Sequence, residues 1–132
     1  MADFIAYGSS TELPTIHVIS DSVGLTAQAV ARAAAAQFGV TNPTIEVLPK
    51  VRRFEEIRRF VDEHSAVHAR NTGDGRMLVF YTLVDRVLSR QLAEYAAERD
   101  DIVAVDLVTD AIGAISRMTG REPSTKPGGL HV

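Results

Sequence analysis

The stretch TIHVISDSVGLTAQAVARAAAAQF, residues 15–38, decides how this chain folds. It runs from a compact apolar segment through Ser20-Asp21-Ser22 into a long Ala-rich pattern, with Gly24 near the join. A polar triplet spoils a buried strand, and a glycine inside a first helical turn costs about 1 kcal/mol against alanine unless its position makes it useful. The stretch therefore reads as strand, turn and helix. Residues 15–20 form the strand, and Val23, Ala27, Val30, Ala31, Ala34 and Phe38 form the apolar stripe of the helix. Gly39 closes it as a C-cap.

The same unit recurs along the chain. Strands are predicted at 44–49, 76–82 and 102–108, each nearly continuous in Val, Ile, Leu or Phe, as strands covered on both faces should be. A helix at 53–69 turns Phe54, Ile57, Val61 and His64 inward; one at 84–99 uses Leu88, Leu92, Tyr95 and Ala96. A last helix at 110–118 uses Ala111, Ile112 and Ile115. Alternating strands and helices with right-handed crossovers predict an α/β fold, a three-layer Rossmann-like (flavodoxin-like) open parallel sheet of about four strands in order 2-1-3-4. NTGDG at 71–75 is a loop, and from Thr119 the run TGREPSTKPGGLHV loses periodicity and has linker composition. The expected organisation is a tail at 1–14, one domain at 15–118 and a linker at 119–132.

Composition bounds the function. A chain of 132 residues, 45% hydrophobic and 23% charged, holds one core. It contains neither a secretory signal nor an apolar run of about 18 residues, so a cytoplasmic protein without a membrane partner is expected. Its lack of cysteine excludes disulfides, zinc-cysteine sites and thiol catalysis. A net charge of -3 gives no footprint for nucleic acid. The basic residues Lys50, Arg52, Arg53, Arg58 and Arg59 are interleaved with Glu55, Glu56, Asp62 and Glu63, which reads as a solvated helix face.

In a 2-1-3-4 sheet the topological switch lies between strands one and three, where ligands of open α/β folds bind. Ser20, Asp21, Ser22 and Thr82 mark those strand ends. Ser22 or Asp21 can cap the first helix, and Gly24, lacking a Cβ, would let a phosphate or carboxylate approach the free N–H groups there. A polar turn also needs Ser or Asp merely to cap, so a structural and a ligand reading both stand. No G-x-x-x-x-G-K-[ST] or G-x-G-x-x-G occurs, a flavodoxin phosphate loop would be one residue shorter than 20–26, and a receiver domain's acceptor Asp and lysine are absent. Thr82-Leu83-Val84-Asp85 fits a capping box, which assigns Asp85 to structure. Asp106 interrupts an apolar strand and is a candidate for the site. His17 reads as a core histidine; His64 and His68, at helical spacing, have no third ligand placed by the sequence, so no metal site is expected.

The segments VISDSVGLTAQAVARAAAAQF, VLPKVRRFEEI, LVFYTLVD, VAVDLV and KPGGLH occur in an order that resembles the amino-terminal part of the pyruvate, phosphate dikinase and phosphoenolpyruvate synthase regulatory proteins. That family has S-D-S-x-G-E-T-A at the first turn. Ser20, Asp21, Ser22, Gly24, Thr26 and Ala27 match it, and Leu25 replaces the glutamate. The resemblance implies a bifunctional serine/threonine kinase and phosphorylase. Such a regulator uses ADP to phosphorylate a threonine of the dikinase or synthase, and inorganic phosphate to remove the group as pyrophosphate. With the strand-end reading, Ser20, Asp21, Ser22, Gly24, Thr26, Thr82 and Asp106 are the candidate phosphate and nucleotide contacts, and the resemblance implies ADP and phosphate, with Mg2+ a compatible companion. The family's P-loop belongs to a carboxyl-terminal domain beyond KPGGLH, so these 132 residues alone are not expected to transfer phosphate. The alternative is a non-catalytic module for nucleotide sensing or target recognition. Homo-oligomerisation stays open.

Overall fold

The computed structural model describes residues 13–71 and 76–127, with side chains left out for 67–71. β1 (Ile16–Ser20) lies between β2 (Ile45–Leu48) and β3 (Met77–Thr82), and β4 (Ile102–Asp106) completes a parallel sheet of order β2-β1-β3-β4. The helices α1 (Leu25–Ala36), α2 (Phe54–Asn71), α3 (Arg86–Ala97) and α4 (Thr109–Thr119) alternate with the strands, giving the Rossmann-like α/β fold that the sequence predicts. The register sets Ser20 beside Thr82 and Tyr81 beside Asp106.

The side-chain period of two divides the sheet into two faces. Ile19, Met77, Val79, Tyr81 and Ile102 point into the main core, where Ile57, Phe60 and Val61 of α2 and Leu88 and Leu92 of α3 meet them. Ile16 and Val18 face the other way, toward α1, and both are buried. His17 is 3% exposed, with its Nδ1 3.2 Å from the Leu78 carbonyl and its ring edge-on to Phe60 and His64. It is a core histidine.

Three expectations need correction. α1 buries Ala27, Ala31 and Ala35, whereas Val23, Val30 and Phe38 are exposed. The helix starts after Val23 and ends before Phe38, and the small alanines let it lie close on the sheet. Its end does use Gly39: at φ 77 this residue donates its N–H to the Ala36 carbonyl while Val40 donates to Ala35, a Schellman pair. Second, β1 is covered on both faces but β4 is not, since Val103 and Val105 are 44% and 38% exposed. Third, α4 buries no residue, and Ile115 and Met118 are 65% and 85% exposed.

Residues 122–127 contain no strand. No helix among the described residues is long and apolar enough to cross a membrane, and no group of three or more His, Asp or Glu residues among them could hold a metal. The tail up to residue 12, the loop at 72–75, the side chain of His68 and residues 128–132, with His131, lie outside the described residues.

Candidate functional site

The turns after β1 and β3 enclose a cavity of about 360 Å³. Ser20, Asp21, Ser22, Gly24, Thr26 and Thr82 all line it, together with Val84, Val108 and Pro127. Six of the seven site residues predicted from sequence therefore meet in one place. The seventh, Asp106, points to the α3 side of the sheet and does not line the cavity.

Gly24, not Ser22, is the N-cap of α1. It sits at φ 87, ψ 12, and no side chain caps the helix. Ser22 is exposed; its N–H goes to the Ser20 hydroxyl oxygen 2.9 Å away. The left-handed backbone at Gly24 disfavours any L side chain, and a Cβ there would stand 3.2 Å from Val47 Cγ1 and 3.5 Å from Val18 Cγ1. The glycine thus joins strand to helix in a conformation and a space open to no larger residue without movement. That is its use in the opening stretch.

The carbonyl groups of this turn are taken up by the loop that follows β2. Lys50 N–H donates to the Ser22 carbonyl at 2.8 Å, Val51 N–H to Ser20 at 3.0 Å, and Arg52 Nη1 to Asp21 at 2.8 Å. Lys50 takes a left-handed φ of 56 to make this approach. With its carbonyls engaged, the turn offers the first N–H groups of α1, at Leu25 and Thr26, and the hydroxyls of Ser22, Thr26 and Thr82. Donors of this kind at a helix start, where the dipole is positive, suit a phosphate or carboxylate.

Each of the other described helices has a carboxylate bound to N–H groups in or just before its first turn. Glu56 Oε1 accepts the N–H groups of Arg52 and Arg53 at 2.8 and 2.9 Å before α2. Asp85 Oδ1 accepts those of Val87 and Leu88 at 2.9 and 3.0 Å at α3. Asp106 Oδ1 accepts those of Val108 and Thr109 at 3.1 and 3.0 Å at α4, and its Oδ2 accepts the hydroxyls of Thr109 and Ser89. Burial pushes the Asp106 carboxyl upward, but these hydrogen bonds outweigh it and hold the group below the ordinary carboxylate range. The capping-box frame read from Thr82 is also corrected: Thr82 ends β3, and Asp85 is itself the N-cap.

Asp21 belongs to this framework as well as to the cavity wall. It is 1% exposed, and its Oδ2 accepts the N–H groups of Val84 and Asp85, both at 3.0 Å. The carboxylate thereby ties the end of β1 to the turn after β3. Sequence reading passed over Arg52, which was counted with a solvated basic face although it precedes α2 and reaches back to the site turn. Val84, Val108 and Pro127 carried no chemical signal and enter as apolar wall.

A doubly wound sheet with its cavity at the β1–β3 switch puts the chain among the open α/β domains that take ligands at the carboxyl ends of their strands. Comparison with known proteins narrows this. The chain belongs to the kinase/pyrophosphorylase family, whose model matches residues 16–132. It is similar to a protein of Clostridioides difficile named a pyruvate, phosphate dikinase regulatory protein, with 36% identity over 115 residues, 86% of this chain and 38% of the relative. Two more, named in the same way, are from Trichlorobacter lovleyi, 37% identical over 88% of this chain and 40% of the relative, and Syntrophomonas wolfei, 30% identical over 92% and 41%. The chain spans 38–41% of the length of these curated relatives.

Proposed function

We propose that this chain is the amino-terminal, phosphate-accepting domain of a regulator of pyruvate, phosphate dikinase or phosphoenolpyruvate synthase. In this reading the full regulator moves the β-phosphoryl group of ADP onto a target threonine, leaving AMP. In reverse, inorganic phosphate attacks the phosphothreonine, freeing the threonine hydroxyl and forming pyrophosphate. Residues 119–132 lead toward the part that carries the P-loop. The observation that carries the reading is the open start of α1: alone among the described helices it has no carboxylate at its N-terminus, and it faces a hydroxyl-lined cavity.

Phosphoryl transfer spreads charge over the transferred oxygens and needs a cation to balance it. The lysines of this chain are Lys50 and Lys126, and neither lines the cavity. Donors are present there but a balancing ammonium is not, so the turn fits binding of a nucleotide phosphate better than turnover, and Mg2+ would be brought by the nucleotide. This favours the sensing role for residues 1–132 and leaves transfer to the rest of the regulator.

Titration of the ¹⁵N-labelled chain with inorganic phosphate and with ADP tests the site. Amide shifts are expected at Leu25 and Thr26; shifts confined to α3 or α4, or none, would remove it. Incubation with ADP, Mg2+ and phosphohistidine-loaded dikinase should give no phosphothreonine by mass spectrometry. Repeated modification by this chain would instead put the catalytic centre in this domain.

A further inference from the structure

A second cavity of about 360 Å³ opens between the starts of α2 and α3. Arg52, Arg53 and Arg58 line it from the α2 side, and Gln91 lines it from α3. Phe54, Val87 and Leu88 supply its apolar part. Arg52 also joins this cavity to the turn before α1, because its Nη1 donates to the Asp21 and Val51 carbonyls at 2.8 and 2.9 Å.

Arginines with a structural task in this chain are held on several sides. Arg99 bonds to Asp101, Asp62 and the Tyr95 hydroxyl, and Arg86 to the Leu83 and Val84 carbonyls and the Thr109 hydroxyl. Among the described residues, by contrast, neither the Arg53 nor the Arg58 guanidinium makes a hydrogen bond or an ion pair. Helix stability does not account for the cluster either. A helix start gains from acids and loses from cations, yet Arg52 and Arg53 immediately precede α2. Glu56 already answers that dipole by accepting the N–H groups of both residues. Two carboxylates belong to the cavity lining and do not neutralise it: Asp85 is occupied with the N–H groups of Val87 and Leu88, and Glu55 is a single exposed charge beside three guanidinium groups.

We infer that this cavity is a second anion site, for an esterified phosphoryl group, with Arg53 and Arg58 taking the oxygens, Arg52 fixed at the wall and Gln91 a neutral donor. A guanidinium presents paired N–H donors that match two phosphate oxygens, and two free forks suit a dianion better than a single carboxylate. The apolar part suits the carbon atoms next to an ester oxygen, which a free phosphate ion lacks. The site is independent of the reading of the α1 turn. The two fail separately, one at Leu25 and Thr26 and the other at the arginines.

NMR titration of the ¹⁵N-labelled chain, read at the Nε–H signals of Arg53 and Arg58 and the side-chain amide of Gln91, tests the site. The probes are N-acetyl phosphothreonine amide, AMP, inorganic phosphate and N-acetyl glutamate amide. Saturating shifts are expected with an ester at a dissociation constant of about 1 mM, with binding of inorganic phosphate roughly threefold or more weaker and no saturation with glutamate. The ester that binds more tightly tells whether the group arrives on a polypeptide or on a nucleotide. Arg53→Gln combined with Arg58→Gln should weaken ester binding about tenfold and leave the thermal midpoint near that of the parent, since both side chains are exposed. Inorganic phosphate or glutamate binding as tightly as the esters overturns the inference. So do ester shifts that climb without saturating to about 20 mM, or ester binding indifferent to the double substitution.

Discussion

The junctions that follow β1 and β3 lie side by side and are finished in opposite ways. After β3, Asp85 caps its own helix, and Asp21 reaches across from the neighbouring strand to the N–H groups of Val84 and Asp85. After β1, a left-handed glycine leads into a helix with no side-chain cap and no acidic residue in its first turn. Both helix starts carry the same kind of dipole. What separates them is occupancy: aspartates complete one from within the protein, and the other carries no side-chain cap. Two junctions placed alike at the ends of central strands thus differ in the carboxylates that meet their helix starts.

The largest effect that would break this comparison comes from Asp21→Ala. It strips the acceptor from two N–H groups of the closed junction beside a side chain that is 1% exposed, so a loss of roughly 3 kcal/mol in urea unfolding is expected. A loss below about 1 kcal/mol would show that the two junctions are not tied in this way.

A smaller effect follows from acid. The folded value of Asp106 lies below its unfolded one, because the Thr109, Val108 and Ser89 donors outweigh burial. Asp101 is lowered chiefly by its hydrogen bond to Arg99. A depressed carboxyl contributes stability above its unfolded value, near 4, and loses it as pH falls through the lower folded value. The thermal midpoint should therefore drop as pH goes below about 4. Asp106→Asn should cost about 1 kcal/mol at pH 7 and flatten that drop. An unchanged profile in the variant would remove Asp106 as the group that closes α4.

The smallest effect sharpens the comparison most. Leu25→Glu puts a carboxylate into the first turn of α1, giving the open junction what the others have. A gain of about 0.5 kcal/mol is expected from the dipole, with weaker phosphate binding in the amide titration. Tighter binding in this variant would show that the turn prefers a cation-bridged ligand over a bare anion.

The sheet was legible because its signals are redundant: four apolar runs separated by helical patterns admit few arrangements once crossovers are right-handed. The local chemistry of the turns was less so. Asp85 was read in a frame starting at Thr82, since S/T-x-x-D describes a box whether or not its first residue lies in a strand. Phe38 and Val30 were placed inward on apolarity alone, whereas the close approach of α1 selects Ala27, Ala31 and Ala35 by size. Asp106 was visible as a carboxylate in an apolar run, but which face it takes depends on register, which sequence does not state. The bare sides of β4 and α4 broke the rule that a continuous apolar strand is covered twice, because coverage is a property of what packs there.

The bonds from residues 50–52 to the carbonyls of Ser20, Asp21 and Ser22 have a consequence for how this protein is made. The turn looks local, four residues between one strand and one helix, yet its carbonyl groups are satisfied from some thirty positions further on. A chain still on the ribosome with only β1 and α1 exposed has those carbonyls turned to water and no fixed cradle. The turn takes its bonded form only when the segment after β2 has emerged and docked, at the cost of closing a long loop.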